Sequence, residues 1–136
     1  MKKFTAAIFG MTILLTQVFA QAAWASALDS RYIFEDLEEL EDFNTWGING
    51  WQVLDSRSLI VNISPSRAYL LILDRNVIGL RSVENIRISS INSRVLSGID
   101  RVQVLDNYSR PARIEKIYLL PDRASRQNAR EVIRAR

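Results

Sequence analysis

Histidine and cysteine are both missing from the chain. Their absence removes the Ser-His and Cys-His nucleophile pairs, and with them the usual imidazole and thiolate zinc sites. The five glycines are scattered, and none falls in a G-x-G-x-x-G or Walker pattern that would cradle a phosphate. Aspartate and glutamate are left as the general bases available near neutral pH. Asp55, Asp74, Asp100 and Asp106 all sit at the ends of apolar runs. Two of them converging in a cleft would suit hydrolysis. The simpler role is turn formation, because an aspartate side chain bonds nearby backbone amides. The acidic run 35–42 lacks the Asp-x-Asp-x-Asp-Gly loop of a calcium site. No catalytic residue, metal ligand or cofactor is therefore assigned.

Charge is distributed unevenly. Residues 29–42 hold seven acids against Arg31 alone, whereas residues 43–136 hold fifteen bases, fourteen of them arginine, against eight acids. Glu35, Glu38, Glu39 and Asp42 form a candidate acidic docking face. Arg126, Arg130 and Arg134 lie four apart and make a stripe on one side of a C-terminal helix. That stripe is a candidate surface for anionic envelope lipid or glycan. The plainer reading of both runs is a solvated face, or an internal ion pair between the two ends. Arginines interleaved with Tyr69, Tyr108 and Tyr118 superficially fit a single-strand nucleic-acid surface. Nucleic acid is not expected as a partner, because the electrostatic footprint is weak and the N-terminus directs export.

That export signal is a three-part pattern. Lys2 and Lys3 precede an uncharged stretch with an apolar centre from Ala6 to Ala20, and small residues follow. Ala20-Gln21-Ala22, Ala23-Trp24-Ala25 and Ala25-Ser26-Ala27 each satisfy the small-residue rule for signal cleavage. Residues 1–25 are read as a signal peptide and 26–136 as one small domain, periplasmic or secreted. Membrane contact is expected only through the signal segment before cleavage. Losing Lys2 and Lys3 takes the net charge from +3 to +1.

The elements that must position these charges follow from periodicity. Ile33, Phe34, Leu37 and Leu40 fall at helical spacing, so 29–43 reads as an acidic helix or arm. Residues 50–120 read as strands. Gly50–Leu54, Ser58–Ile63 and Ala68–Leu73 are separated by the turns Asp55-Ser56-Arg57 and Ser64-Pro65-Ser66-Arg67, which predicts an antiparallel meander. The nearly unbroken apolar run 68–73 predicts a strand covered on both faces. Shorter strand signals follow, and Ile114–Leu120 is the last strand. Residues 121–136 read as a basic helix capped by Asp122, with Ala129, Val132 and Ile133 as its thin apolar face. Trp46 and Trp51 read as core or core rim, with Trp46 the candidate for exposure. The fold class is α+β, mainly an antiparallel meander in a small sandwich or barrel-like sheet, flanked by the two helices.

The run Trp51 to Val61 with its Asp55-x-Arg57 turn, then Tyr69-Leu70-Leu71-Ile72-Leu73, then Gly79-Leu80, resembles a family of small exported bacterial proteins known only as a domain of unknown function. Arg113-Ile114-x-x-Ile117 fits the same pattern, so the resemblance covers about residues 43–120. Members of that family commonly carry cysteines where this chain has Val77 and Ala112. The resemblance implies that apolar contact replaces a cross-link here, and it implies no activity. The functional expectation is a non-enzymatic binding or accessory module that uses charged surfaces. Its partner would be an envelope protein or an anionic envelope lipid or glycan. The rival expectations are an envelope hydrolase using an Asp/Glu pair and a membrane-anchored structural protein.

Overall fold

The computed structural model describes residues 29–105 and 109–135. The proposed signal peptide, 1–25, and Asp106–Tyr108 lie outside the described residues.

Residues 29–43 do not form the expected helix. One 3-10 turn, Ser30–Tyr32, is capped by the Asp29 side chain. The chain then contributes two short strands, β1 (Glu39–Leu40) and β2 (Asp42–Asn44). Two physical reasons oppose a helix. It would set Glu35 against Glu39 and Glu38 against Asp42 at four-residue spacing, and like charges there repel. The apolar residues also serve two different cores. Tyr32, Phe34 and Leu37 pack on one face of the sheet, whereas Leu40 and Phe43 pack on the other. A helix offers a single apolar stripe and cannot reach both.

The meander forms as the pattern predicts. β3 (Gly50–Asp55), β4 (Ser58–Ser64) and β5 (Arg67–Leu73) are antiparallel neighbours joined by the two-residue links Ser56-Arg57 and Pro65-Ser66. A 3-10 turn at Leu80–Ser82 follows, then β6 (Ile86–Ile88), β7 (Arg94–Leu96), β8 (Arg101–Val104) and β9 (Ala112–Leu120). The main sheet runs β3-β4-β5-β9-β8-β6, with β1 added along β9, and it curls into a half-barrel. β2 pairs with β7 in a separate small ladder.

β5 is the central, doubly covered strand. Tyr69, Leu71 and Leu73 point into the curl with Leu59, Val61, Val102 and Ile117. Ala68, Leu70 and Ile72 point outward, where they meet Ala129 and Ile133 of the C-terminal helix α1 (Arg123–Arg134). Val77 and Ala112 are both buried in the inner core, so apolar packing occupies the two positions at which the resemblance places cysteines.

α1 starts at a capping box. Asp122 accepts the Ser125 amide at 2.7 Å, and the Asp122 amide donates to Ser125 Oγ at 3.3 Å. Ala129 and Ile133 are buried, but Val132 is exposed, so the apolar face is narrower than expected. Trp51 and Trp46 are both exposed, at 38% and 74%, and neither joins a core cluster, so the expected core or core-rim role is not met by either. Among the described residues no helix is long and apolar enough to cross a membrane.

Candidate functional site

The turn between β3 and β4 organises the polar part of the molecule. Asp55 is buried, and three donors satisfy its carboxylate. Oδ1 accepts the Arg57 amide at 2.9 Å and Ser58 Oγ at 2.6 Å. Oδ2 accepts the hydroxyl of Tyr32, also buried, at 2.6 Å. Burial pushes the Tyr32 hydroxyl up to about 12, and the Asp55 hydrogen bond and charge add to the shift. Tyr32 therefore remains a protonated donor at any physiological pH.

Arg57 faces the other way. Its Nε donates to the Leu73 carbonyl at 2.7 Å, and a terminal nitrogen donates to the Asp74 carbonyl at 3.1 Å. The same nitrogen lies 3.4 Å from Glu115, and the guanidinium stands 5.4 Å from the Tyr32 ring centroid. The Asp-x-Arg turn is thus a fastener. Asp55 holds the N-terminal segment, and Arg57 holds the end of β5.

A cleft of about 520 Å³ opens against this fastener, and Arg31, Tyr32, Asp55, Asn76, Arg81 and Arg134 line much of it. Each arginine arrives by a different route. Arg31 precedes Tyr32 in the first 3-10 turn. Gly79, at φ +83°, turns the chain so that Leu80 is buried and Arg81 is exposed. Ile133 is buried beneath α1, which leaves Arg134 at the rim in the last turn of the helix. The carbonyl end of a helix favours a cation there.

Three guanidiniums thus share the cleft with one carboxylate, and both oxygens of that carboxylate are occupied. Arg31 pairs with Asp29 at 3.0 Å. Arg81 and Arg134 have no ion pair among the described residues. A guanidinium presents a planar fork matched to carboxylate or phosphate oxygens, so this arrangement can receive an anion.

The residues singled out by sequence are divided among several places. Arg134 lines the cleft. Arg126 donates to the Pro65 carbonyl at 2.5 Å, and Arg130 is half-buried with its Nε unpartnered among the described residues. On the acidic side, Glu39 pairs with Lys116 at 3.1 Å and Asp42 with Arg94 at 2.5 Å. Glu35 and Glu38 are exposed. Two of the four acids therefore meet bases of the sheet and not the arginines of α1.

Among the described residues Asp55, Asp74 and Asp100 do not converge, and Asp106 lies outside the described residues. Asp100 accepts Ser89 Oγ at 2.6 Å and the Leu96 amide at 2.8 Å, fixing the approach to β8. Asp74 accepts the Arg113 amide at 3.1 Å. Among the described residues no group of three carboxylates is placed to hold a metal ion.

Tyr32, Arg31 and Arg81 are the residues that sequence reasoning missed. The one available signal was the pair Arg31-Tyr32, a lone base and an aromatic at the head of an acidic run. Nothing in spacing links Arg81 to Arg134.

Neither curated proteins nor solved structures give a match to this chain. A protein-family model described as a family of unknown function (DUF6491) matches residues 1–136, a wider span than the resemblance over 43–120.

Proposed function

The chain belongs to the family of unknown function DUF6491, and we propose that it serves as an exported, non-enzymatic binding module for an anionic ligand of the cell envelope. The observation that carries this reading is the convergence of Arg81 and Arg134, neither ion-paired among the described residues, on one cleft beside Arg31. Clefts lined by one sign of charge focus the field and raise the local concentration of counter-charged ligand. The Tyr32–Asp55 bond holds the wall in place, so little ordering is required when the ligand arrives. Support for export is the Lys2-Lys3, apolar, small-residue pattern at the N-terminus. Intact-mass measurement of the protein from an envelope fraction distinguishes a cleaved from an anchored N-terminus.

The hydrolase alternative has less to rest on. It needs two carboxylates in one cleft, at least one of them with a raised pKa. The arginine-lined cleft holds only Asp55, whose oxygens already accept three hydrogen bonds.

The test uses heparin as a polyanionic probe. An Arg81→Gln/Arg134→Gln variant should elute from heparin at clearly lower salt than the natural protein. An Arg67→Gln/Arg87→Gln variant removes equal charge from exposed positions outside the cleft and should elute nearly unchanged. Equal shifts in the two variants would mean that net charge, and not the cleft, governs binding.

A further inference from the structure

The loop after β5 contributes Asn76 to the cleft described above, and Asp74 and Arg75 to a second, smaller one. This second cleft encloses about 240 Å³ and is lined by Asp74, Arg75, Arg101, Pro111 and Arg113. Four of those five residues are charged, three of them positively.

Arg101 on β8 and Arg113 on β9 are direct partners in the antiparallel ladder. Residues directly opposite each other project from the same face, and like charges placed there destabilise a sheet. Asp74 offsets part of this repulsion by pairing with Arg113, and no acid among the described residues pairs with Arg101. The Asp74 carboxylate is engaged chiefly with the Arg113 amide at 3.1 Å, and it lies 3.9 Å from Arg113 Nε. Arg75 donates to the Pro111 carbonyl, which anchors its guanidinium without neutralising it. The Arg101 side chain makes no hydrogen bond or ion pair among the described residues. An unfavourable pairing that packing does not require is a feature a binding site can explain.

We propose that Arg75, Arg101 and Arg113 form a binding site for a phosphate group, separate from the larger cleft. A phosphate offers several oxygens to guanidinium forks, and its charge would turn the Arg101–Arg113 repulsion into shared attraction. Inorganic phosphate and the monoester headgroup of an anionic lipid present this same chemistry.

Thermal unfolding and heteronuclear NMR titration with inorganic phosphate test the site together, using chloride at matched ionic strength as the control. Phosphate should produce saturable shifts at Arg75, Arg101 and Arg113 and should raise the Tm. Arg101→Gln should weaken binding at least about tenfold, the effect of losing a charge-assisted contact of about 1.4 kcal/mol. Without phosphate the same variant should unfold at a higher temperature than the natural protein, because the opposed charges are gone. That advantage should shrink as phosphate is added.

The shifts at Arg75, Arg101 and Arg113 should persist in Arg81→Gln/Arg134→Gln, whereas any phosphate shifts at Arg31, Tyr32 and Asn76 belong to the larger cleft, so failure of that cleft and failure of this site are distinguishable. Vesicles containing phosphatidic acid identify the source. Retention that depends on Arg101 indicates a lipid headgroup, and a response to inorganic phosphate alone indicates a soluble ligand. Either result supports the site. Absence of a saturable phosphate response, or an identical response in Arg101→Gln, overturns the proposal.

Discussion

Replacing Tyr32 by phenylalanine removes one hydroxyl and keeps the ring that packs with Phe34 and Leu54 in the outer core. The hydroxyl lies 2.6 Å from Asp55 Oδ2, and both residues are buried. Without it, one oxygen of a buried carboxylate loses its donor. Hydrogen bonds to charged groups contribute about 1.5–3 kcal/mol, so a loss of about 2 kcal/mol is expected. For a domain of about 100 residues, each kcal/mol moves the Tm by about 4–8 °C, which makes the expected drop roughly 10 °C. Urea unfolding at pH 7 should show a lower midpoint with an unchanged slope, as for a change in stability alone. A double-mutant cycle with Asp55→Asn should return a coupling of at least about 0.5 kcal/mol, as expected for residues in contact. A cost below about 0.5 kcal/mol, the range of surface substitutions, would refute the view that this bond fastens the N-terminal segment to the fold.

The same bond has an alkaline signature. The Tyr32 hydroxyl is raised from 10.0 to about 12 in the fold, so its contribution is complete below pH 10 and is lost as pH rises towards 12; Tyr32→Phe should flatten that decline in a stability-versus-pH series. At the acid end, backbone and side-chain bonds from Ser125 lower the Asp122 carboxyl below 3.8, so capping is present above that range and is lost as pH falls through the lowered value. Asp122→Ala should speed hydrogen exchange in the first turn of α1 at pH 7 and remove its acid dependence. Leu70→Ala, at a fully buried position between β5 and α1, should cost about 3 kcal/mol by urea unfolding, whereas exposed Ile91→Ala should stay within about 0.5 kcal/mol.

What could be read from sequence divides along physical lines. β4 and β5 were legible because their apolar runs are bounded by turn residues, and the unbroken run 68–73 reported burial on both faces. α1 was legible from Asp122 and the residues that follow. The acidic helix was a false signal. Ile33, Phe34, Leu37 and Leu40 match a helical period, yet Phe34 and Leu37 reach the outer core and Leu40 reaches the inner one. Local periodicity cannot show that a segment passes between two cores. Asp55 and Arg57 were visible as a turn, but the Tyr32 partner of Asp55 depends on tertiary packing. The cleft was the least legible feature, because Arg31, Arg81 and Arg134 come from two 3-10 turns and a helix end that only the folded chain brings together.

The central claim is that the Arg31–Arg81–Arg134 cleft receives an anionic ligand. Residue-by-residue NMR titration of the purified protein with a heparin oligosaccharide, at about 0.15 M salt where long-range attraction is screened, tests it most directly. The account predicts saturable shifts centred on Arg31, Tyr32, Asn76, Arg81 and Arg134 that vanish in Arg81→Gln/Arg134→Gln. Shifts spread evenly over the exposed arginines, or unchanged in that variant, would contradict it.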